Sequence, residues 1–235
     1  MDYFQINKLS YSTLKNIFRS YEYFLYQLTC KFESSLPMQL GNMVHSFILE
    51  GKEENPLEKM DVVGKRGAIT STGQQAVDAY YGMIDTKPLY DFTNCEIEKR
   101  LFWNYDGVDF KSRVDAYNPD TKTLIDLKTD RAWGDFDYTF FRMKYDMQLY
   151  MYTLALQANG YEVENYIIYT VNSTPPYEHC LHRIDPLCVL YGRRNFEKAL
   201  ELFHNQGAGE QESRLDLPTY KLKELEAYGI LHEEE

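Results

Sequence analysis

Asp115, Asp126 and Lys128 fall in one short stretch, KSRVDAYNPDTKTLIDLKT, from Lys111 to Thr129. Side chains on a strand repeat with period two, so Asp126 and Lys128 project from the same face. Between the two apolar-alternating runs lies Asn118-Pro119-Asp120, a turn signal, and a hairpin there brings Asp115 alongside them. Two carboxylates and an amine at one spot of a sheet carry a desolvation penalty, which a metal ion and an anionic substrate relieve. Hydrolysis of a phosphodiester needs that combination: neutralised phosphoryl oxygens and hydroxide formed near neutral pH. One or two Mg²⁺ ions held by carboxylate oxygens provide both. Asp115, Asp126 and, from the preceding strand, Glu98 can supply the oxygens. The carbonyl next to Asp126, that of Leu127, can add another. Lys128 can hold the attacking water or stabilise charge on the pentavalent transition state, and beside two carboxylates it is expected to stay protonated. An isolated D-x-K is common and more often lines a solvated strand face. Here the apolar setting of Leu124, Ile125 and Leu127 points to a central strand, and Glu98 adds a third carboxylate.

The elements that must position these groups read as follows. Ser10 can cap a helix over about Tyr11 to Leu28, with Leu14, Ile17, Phe18, Tyr21, Leu25 and Leu28 as its buried stripe. Pro37 opens a second helix that ends at Gly51, with Leu40, Val44, Phe47 and Ile48 as core candidates and His45 four residues after Gly41. After an irregular stretch, with a short strand at Asp61 to Val63, a Thr70 cap starts a third helix over Ser71 to Tyr81. Cys95 to Tyr105, Val108 to Tyr117 and Thr123 to Thr129 form a meander, its first turn marked by Asp106-Gly107. On the first of these strands Ile97, Leu101 and Trp103 share one parity, and Glu96 and Glu98 share the other. A two-piece helical pattern covers Phe136 to Ala158 after a loop with Trp133 and Gly134. Strands at Glu164 to Val171 and Tyr177 to Ile184 precede a last long helix from Pro186 to about Phe203. A short helix over Pro218 to Tyr228 precedes a Glu tail. The order predicts an α/β fold with a central mixed β-sheet flanked by α-helices. It also predicts one domain over 1–235, with a core at about 9–204 and a partly flexible tail at 205–235.

Composition narrows the class. With 44% hydrophobic and 26% charged residues, the chain reads as a globular protein. No apolar run approaches the ~20 residues of a membrane span, and the N-terminus lacks a signal peptide's pattern, so the expectation is cytoplasmic with no membrane association. The four cysteines form no C-x-x-C pair, which argues for free thiols rather than a zinc or iron–sulfur site. A net charge of −11 argues against a passive, nonspecific nucleic-acid binder. It leaves room for a nuclease, whose carboxylates are offset by bound cations.

Asp115…Asp126-Leu127-Lys128 resembles the core of the PD-(D/E)xK nucleases. Further segments resemble, in order, the branch with RecB nuclease domains, lambda exonuclease and RecE-type phage and prophage exonucleases. They are LSYSTLKNIFRSYEYF at the start, Gly41-Asn42-Met43-Val44-His45 running on to Leu49-Glu50, Glu98 with Phe102-Trp103, Lys111-Ser112-Arg113-Val114-Asp115, and Gln148-Leu149-Tyr150-Met151-Tyr152. Ser112 stands where that branch usually has glycine. The resemblance implies a restriction-endonuclease-like core, a Mg²⁺ (or Mn²⁺) centre, and hydrolysis of linear DNA in recombination or end resection. It implies His45 as a metal ligand or phosphate contact, alongside Asp115, Asp126 and the Leu127 carbonyl. Gln148 and Tyr152 are then substrate-positioning or site-bracing groups, and Arg113 contacts a phosphate or pairs with a carboxylate. Glu96 competes with Glu98, which the spacing to Phe102-Trp103 favours. DNA ends, a single-strand annealing protein and a homo-oligomer are the implied partners. The alternative is a catalytically silent or structural DNA-binding subunit with the same fold.

Overall fold

The structure, a computed structural model, describes residues 8–30, 33–65, 67–130 and 136–206. The Trp133-Gly134 loop and the Pro218 to Tyr228 helix, like the tail from residue 207 on, lie outside them. In chain order, α1 (Tyr11–Leu14), α2 (Tyr21–Thr29), α3 (Leu36–Glu50), α4 (Pro56–Lys59) and α5 (Ser71–Asp85) precede the sheet. The meander β1 (Glu96–Tyr105), β2 (Val108–Asn118) and β3 (Thr123–Asp130) follows, then α6 (Phe136–Arg142) and α7 (Tyr145–Ala158). The chain continues through β4 (Asn165–Asn172), β5 (His179–Ile184) and α8 (Pro186–His204).

The five strands lie in the order β1-β2-β3-β4-β5. All neighbours pair antiparallel except β3 and β4, which run parallel. A parallel pair needs a crossover, and α6 and α7 provide it. The turns follow the local signals. Asp106 and Gly107 both have positive φ, the type I′ combination whose twist suits a hairpin. The Asn118 Oδ1 accepts from the N–H groups of Asp120 and Thr121 at 3.0 and 3.1 Å. The central β3 is apolar on both sides because both sides are covered. Leu124 joins a core with β1, β2, α7 and α8, whereas Ile125 and Leu127 pack under α3 and α5. The sheet is thus a mixed one flanked by helices, as expected. The four cysteines are free, and no helix among the described residues is long and apolar enough to cross a membrane.

Three local expectations change. The helix expected over Tyr11 to Leu28 is divided into α1, a 3₁₀ turn at Lys15–Phe18, and α2. Ser20 is the reason: its side chain accepts from the Tyr23 N–H at 3.0 Å, a cap that starts a new helix inside the periodic pattern. Ser10 occupies the cap position of α1 but faces the hydroxyls of Ser12 and Thr13 instead of a backbone N–H. The strand expected at Asp61 to Val63 is a single bridge between Val63 and Ile69. Finally, β1 does not keep one parity. Glu98 has φ +50°, outside the β region, and the alternation reverses there. Ile97 therefore packs with the α3/α5 core, while Leu101 and Trp103 pack on the opposite side.

Candidate active site

The site lies where β2 leaves β3. The two strands pair at Asn118–Thr123, Tyr117–Leu124 and Ala116–Ile125. The next pair in that register would be Asp115 with Asp126, and the ladder stops there. The Asp115 Oδ2 accepts the Leu127 N–H at 2.8 Å, so a carboxylate takes over where a strand carbonyl would serve. The strands splay around two aspartates.

Asp126 is fully buried. Its Oδ1 accepts from Gln148 Nε2 at 2.9 Å. Its Oδ2 faces the Lys128 ammonium at 2.6 Å, without the alignment of a hydrogen bond. Gln148 Nε2 also donates to the Tyr152 hydroxyl at 3.0 Å, across one turn of α7. Burial pushes the Asp126 carboxyl up to about 6; Lys128 opposes the rise and Asp115 adds to it. Asp115 is likewise raised by burial, against the pull of Lys128. Burial works to lower the Lys128 pKa, but attraction by Asp126 and Asp115 outweighs it, and the ammonium is held protonated. The ring of Tyr145 lies 4.9 Å from that ammonium, a cation–π contact.

The second half of the site gathers around Asp115. Donor atoms of His45, Glu98 and Asp115 all lie within 4.8 Å of one another. His45 comes from α3, one turn after Gly41. A Cβ on Gly41 would sit 3.2 Å from the Thr129 hydroxyl, so glycine lets α3 lie close on β3. Burial, then repulsion by Lys128, push the His45 pKa down to about 4. The imidazole is neutral at pH 7, and its 3.8 Å approach to Asp115 is no ion pair. The Leu127 carbonyl is within hydrogen-bond reach of the ring. Glu98 would be the cross-strand partner of Asp115 in the β1/β2 register, but its positive φ interrupts that ladder. Its Oε2 lies 2.8 Å from Arg113 Nε.

Metal–ligand bonds of about 2.0–2.6 Å bridge donors up to about 4–5 Å apart, so His45, Glu98 and Asp115 fit one cation. Two carboxylates suit a hard cation, and a neutral imidazole extends the set towards Mn²⁺. Of the residues expected as ligands, His45 and Asp115 stand in this group. The Asp126 carboxylate stands outside it, turned to Gln148 and Lys128. Glu96 pairs with Lys99 and leaves the position to Glu98.

A family model for a PDDEXK-like domain of unknown function (DUF3799) matches residues 10–214. The chain belongs to this PDDEXK-like family. The mixed sheet flanked by helices is the restriction-endonuclease-like fold of that family. Among solved structures, a protein of Eubacterium rectale described as a candidate exonuclease is similar in fold. Its TM-score is 0.69 at 16% identity, and 92% of each chain is covered. A phage-related exonuclease from Haemophilus somnus 129PT is more distant. Its TM-score is 0.33 at 12% identity, with 68% of this chain and 92% of that one covered. No curated protein matches the chain at a significant level of sequence similarity.

Two residues near Lys128 escape the sequence reading. Tyr145 sits three residues before Gln148 on the same face of α7, and that spacing was the available signal. Lys15, in the 3₁₀ turn, has its ammonium 4.9 Å from the Tyr11 ring. Its pKa is lowered by burial and then by Lys128. Nothing local marks it, because only the docking of the N-terminal segment brings it near. The Gln148 side chain aims Asp126 without touching the donor group. Gln148→Leu is expected to lower turnover about 10–100-fold while leaving Mn²⁺ affinity nearly unchanged. Steady-state cleavage and calorimetric titration of the same preparation check this.

Proposed function

We propose that the protein is a divalent-metal-dependent DNA nuclease, an exonuclease that degrades linear DNA by phosphodiester hydrolysis in phage- or prophage-type recombination or end resection. The observation that carries this reading is the splay itself: Asp115 and Asp126 meet at the end of the β2/β3 ladder, with the Lys128 ammonium on Asp126. A cation held by His45, Glu98 and Asp115, Mg²⁺ or Mn²⁺, would supply Lewis-acid charge and a water of lowered pKa. The residues supply the rest. Asp126, fixed by Gln148, holds Lys128 in place and charged. Lys128 places positive charge at the phosphoryl oxygens and orients the attacking water. Tyr152 braces Gln148. Arg113 contacts the DNA backbone. Exonuclease action is supported by the order of the motifs and by what the Eubacterium rectale neighbour is described to be. A single-strand annealing protein and a homo-oligomer are the partners that fit this role.

The deciding experiment incubates end-labelled linear DNA and covalently closed circular DNA with the protein in Mg²⁺ or Mn²⁺. Loss of linear DNA with intact circles is the expected result. Cutting of closed circles would overturn the exonuclease reading. If neither substrate is cut in either metal, the protein is a binding module.

A further inference from the structure

We propose that Arg113 is an exchangeable counter-ion: it neutralises Glu98 in the metal-free protein, and turns to a DNA phosphate when a cation takes over Glu98. The inference rests on the nuclease reading above and adds a step to it.

The geometry gives Glu98 two rival partners. Its Oε2 lies 2.8 Å from Arg113 Nε, while its carboxylate also belongs to the group with His45 and Asp115. The rivalry is built into the sheet. Arg113 and Arg100 are direct cross-strand partners, and Glu98, two residues before Arg100 on β1, reaches the Arg113 side chain across the pair. Asp115, two residues after Arg113, is the residue opposite Glu98 in the β1/β2 register. The Glu98 carboxylate thus stands between Arg113 on one side and His45 with Asp115 on the other. A cation on Glu98 would lie within a few ångströms of the guanidinium, where like charges repel. The Arg113 side chain is 35% exposed and has an exit towards solvent. A guanidinium leaving a carboxylate beside the metal group is well placed for a phosphate, whose geometry it matches. Substrate affinity is then coupled to metal occupancy through one side chain.

The test uses the full chain and reads binding, separately from cleavage. Mn²⁺ affinity is measured by calorimetry without DNA, for wild type, Arg113→Ala, Glu98→Gln and the double variant. Arg113→Ala is expected to bind Mn²⁺ about three- to tenfold more tightly, the scale of one partly exposed ion pair. Glu98→Gln is expected to abolish that gain, so the double variant binds like Glu98→Gln alone. Anisotropy of a fluorescein-labelled duplex is then followed against salt, in Ca²⁺ and in EDTA. In Ca²⁺, Arg113→Ala should bind more weakly, with a salt slope smaller by about one, and Arg113→Lys should recover part of the loss. In EDTA, wild type and Arg113→Ala should bind alike. An unchanged or weakened Mn²⁺ affinity in Arg113→Ala overturns the exchange, and so does a DNA-binding deficit equal with and without metal. If these results come with a wild type that binds Mn²⁺ and cuts linear DNA, the exchange fails alone and the nuclease reading stands. A wild type that binds no divalent cation removes both.

Discussion

Lys128→Met is expected to lower the rate of DNA cleavage by about 10²–10³-fold or more, with Mn²⁺ binding retained. The variant keeps an unbranched apolar stem and loses the charge. His45, Glu98 and Asp115 are untouched, so the donor group stays intact. Two effects add. Positive charge aimed at the developing phosphoryl oxygens disappears from a site screened from water. Asp126 also loses the ammonium at 2.6 Å and keeps Gln148 as its partner on Oδ1. A buried carboxylate without its cation takes up a proton more readily, so the Asp126 pKa rises further. Lys128→Arg restores charge but not shape, because a planar fork does not occupy the place of a compact ammonium, and it should recover little activity. Single-turnover cleavage beside calorimetric Mn²⁺ titration separates the two functions. Cleavage within tenfold of wild type would show that Lys128 merely lines the strand.

The second expectation concerns stability. In the metal-free protein, Asp126→Asn should be more stable than wild type at pH 8, by on the order of 2 kcal/mol, with the gap closing towards pH 4. The folded Asp126 pKa is about 6 against an ordinary 3.8, raised by burial. Between those values the native state still holds a proton that the unfolded chain has released. Stability therefore falls as pH rises through that window and levels off above about 6. Asparagine copies the neutral carboxyl and does not titrate, so it escapes that loss while abolishing cleavage. Such a trade between stability and activity is common at functional sites. Urea unfolding at pH 4.5 and pH 8 measures the gap. A variant less stable than wild type at pH 8 would mean that the Lys128 ion pair outweighs the burial of the charge.

How much of this was legible beforehand depends on what each feature is made of. The meander, α3 and α7 follow from period-two and period-3.6 patterns, and the turns follow from Asp106-Gly107 and Asn118-Pro119-Asp120. These are local signals, and local structure obeyed them. Asp115, Asp126 and Lys128 could be gathered because a hairpin converts spacing into proximity. The directions of the carboxylates could not. The Asp126 carboxylate turns to Lys128 and Gln148, while Glu98 groups with His45 and Asp115. That choice is made by side-chain direction inside a buried site. The positive φ of Glu98 was equally hidden. A non-glycine residue holds that conformation because its surroundings impose it, and no periodicity rule anticipates a reversed parity. Lys15 needed the tertiary docking of a segment whose own pattern announced a single helix.

The parallel pairing of β3 with β4 has a consequence for the newly made chain. The β1–β3 hairpins close short loops and can form early. The β3–β4 ladder must wait for the whole α6–α7 crossover, and His45 must return from a helix far upstream. Until α3, α7 and β4 have docked, the carboxylates of the meander stay solvated, without His45 from α3 or Gln148 from α7. A partly synthesised or locally unfolded chain therefore carries the D…D-x-K letters without the histidine and the burial that complete the donor group. The proposed cutting power would switch on cooperatively with the last long-range contacts, and it would be lost as soon as they open.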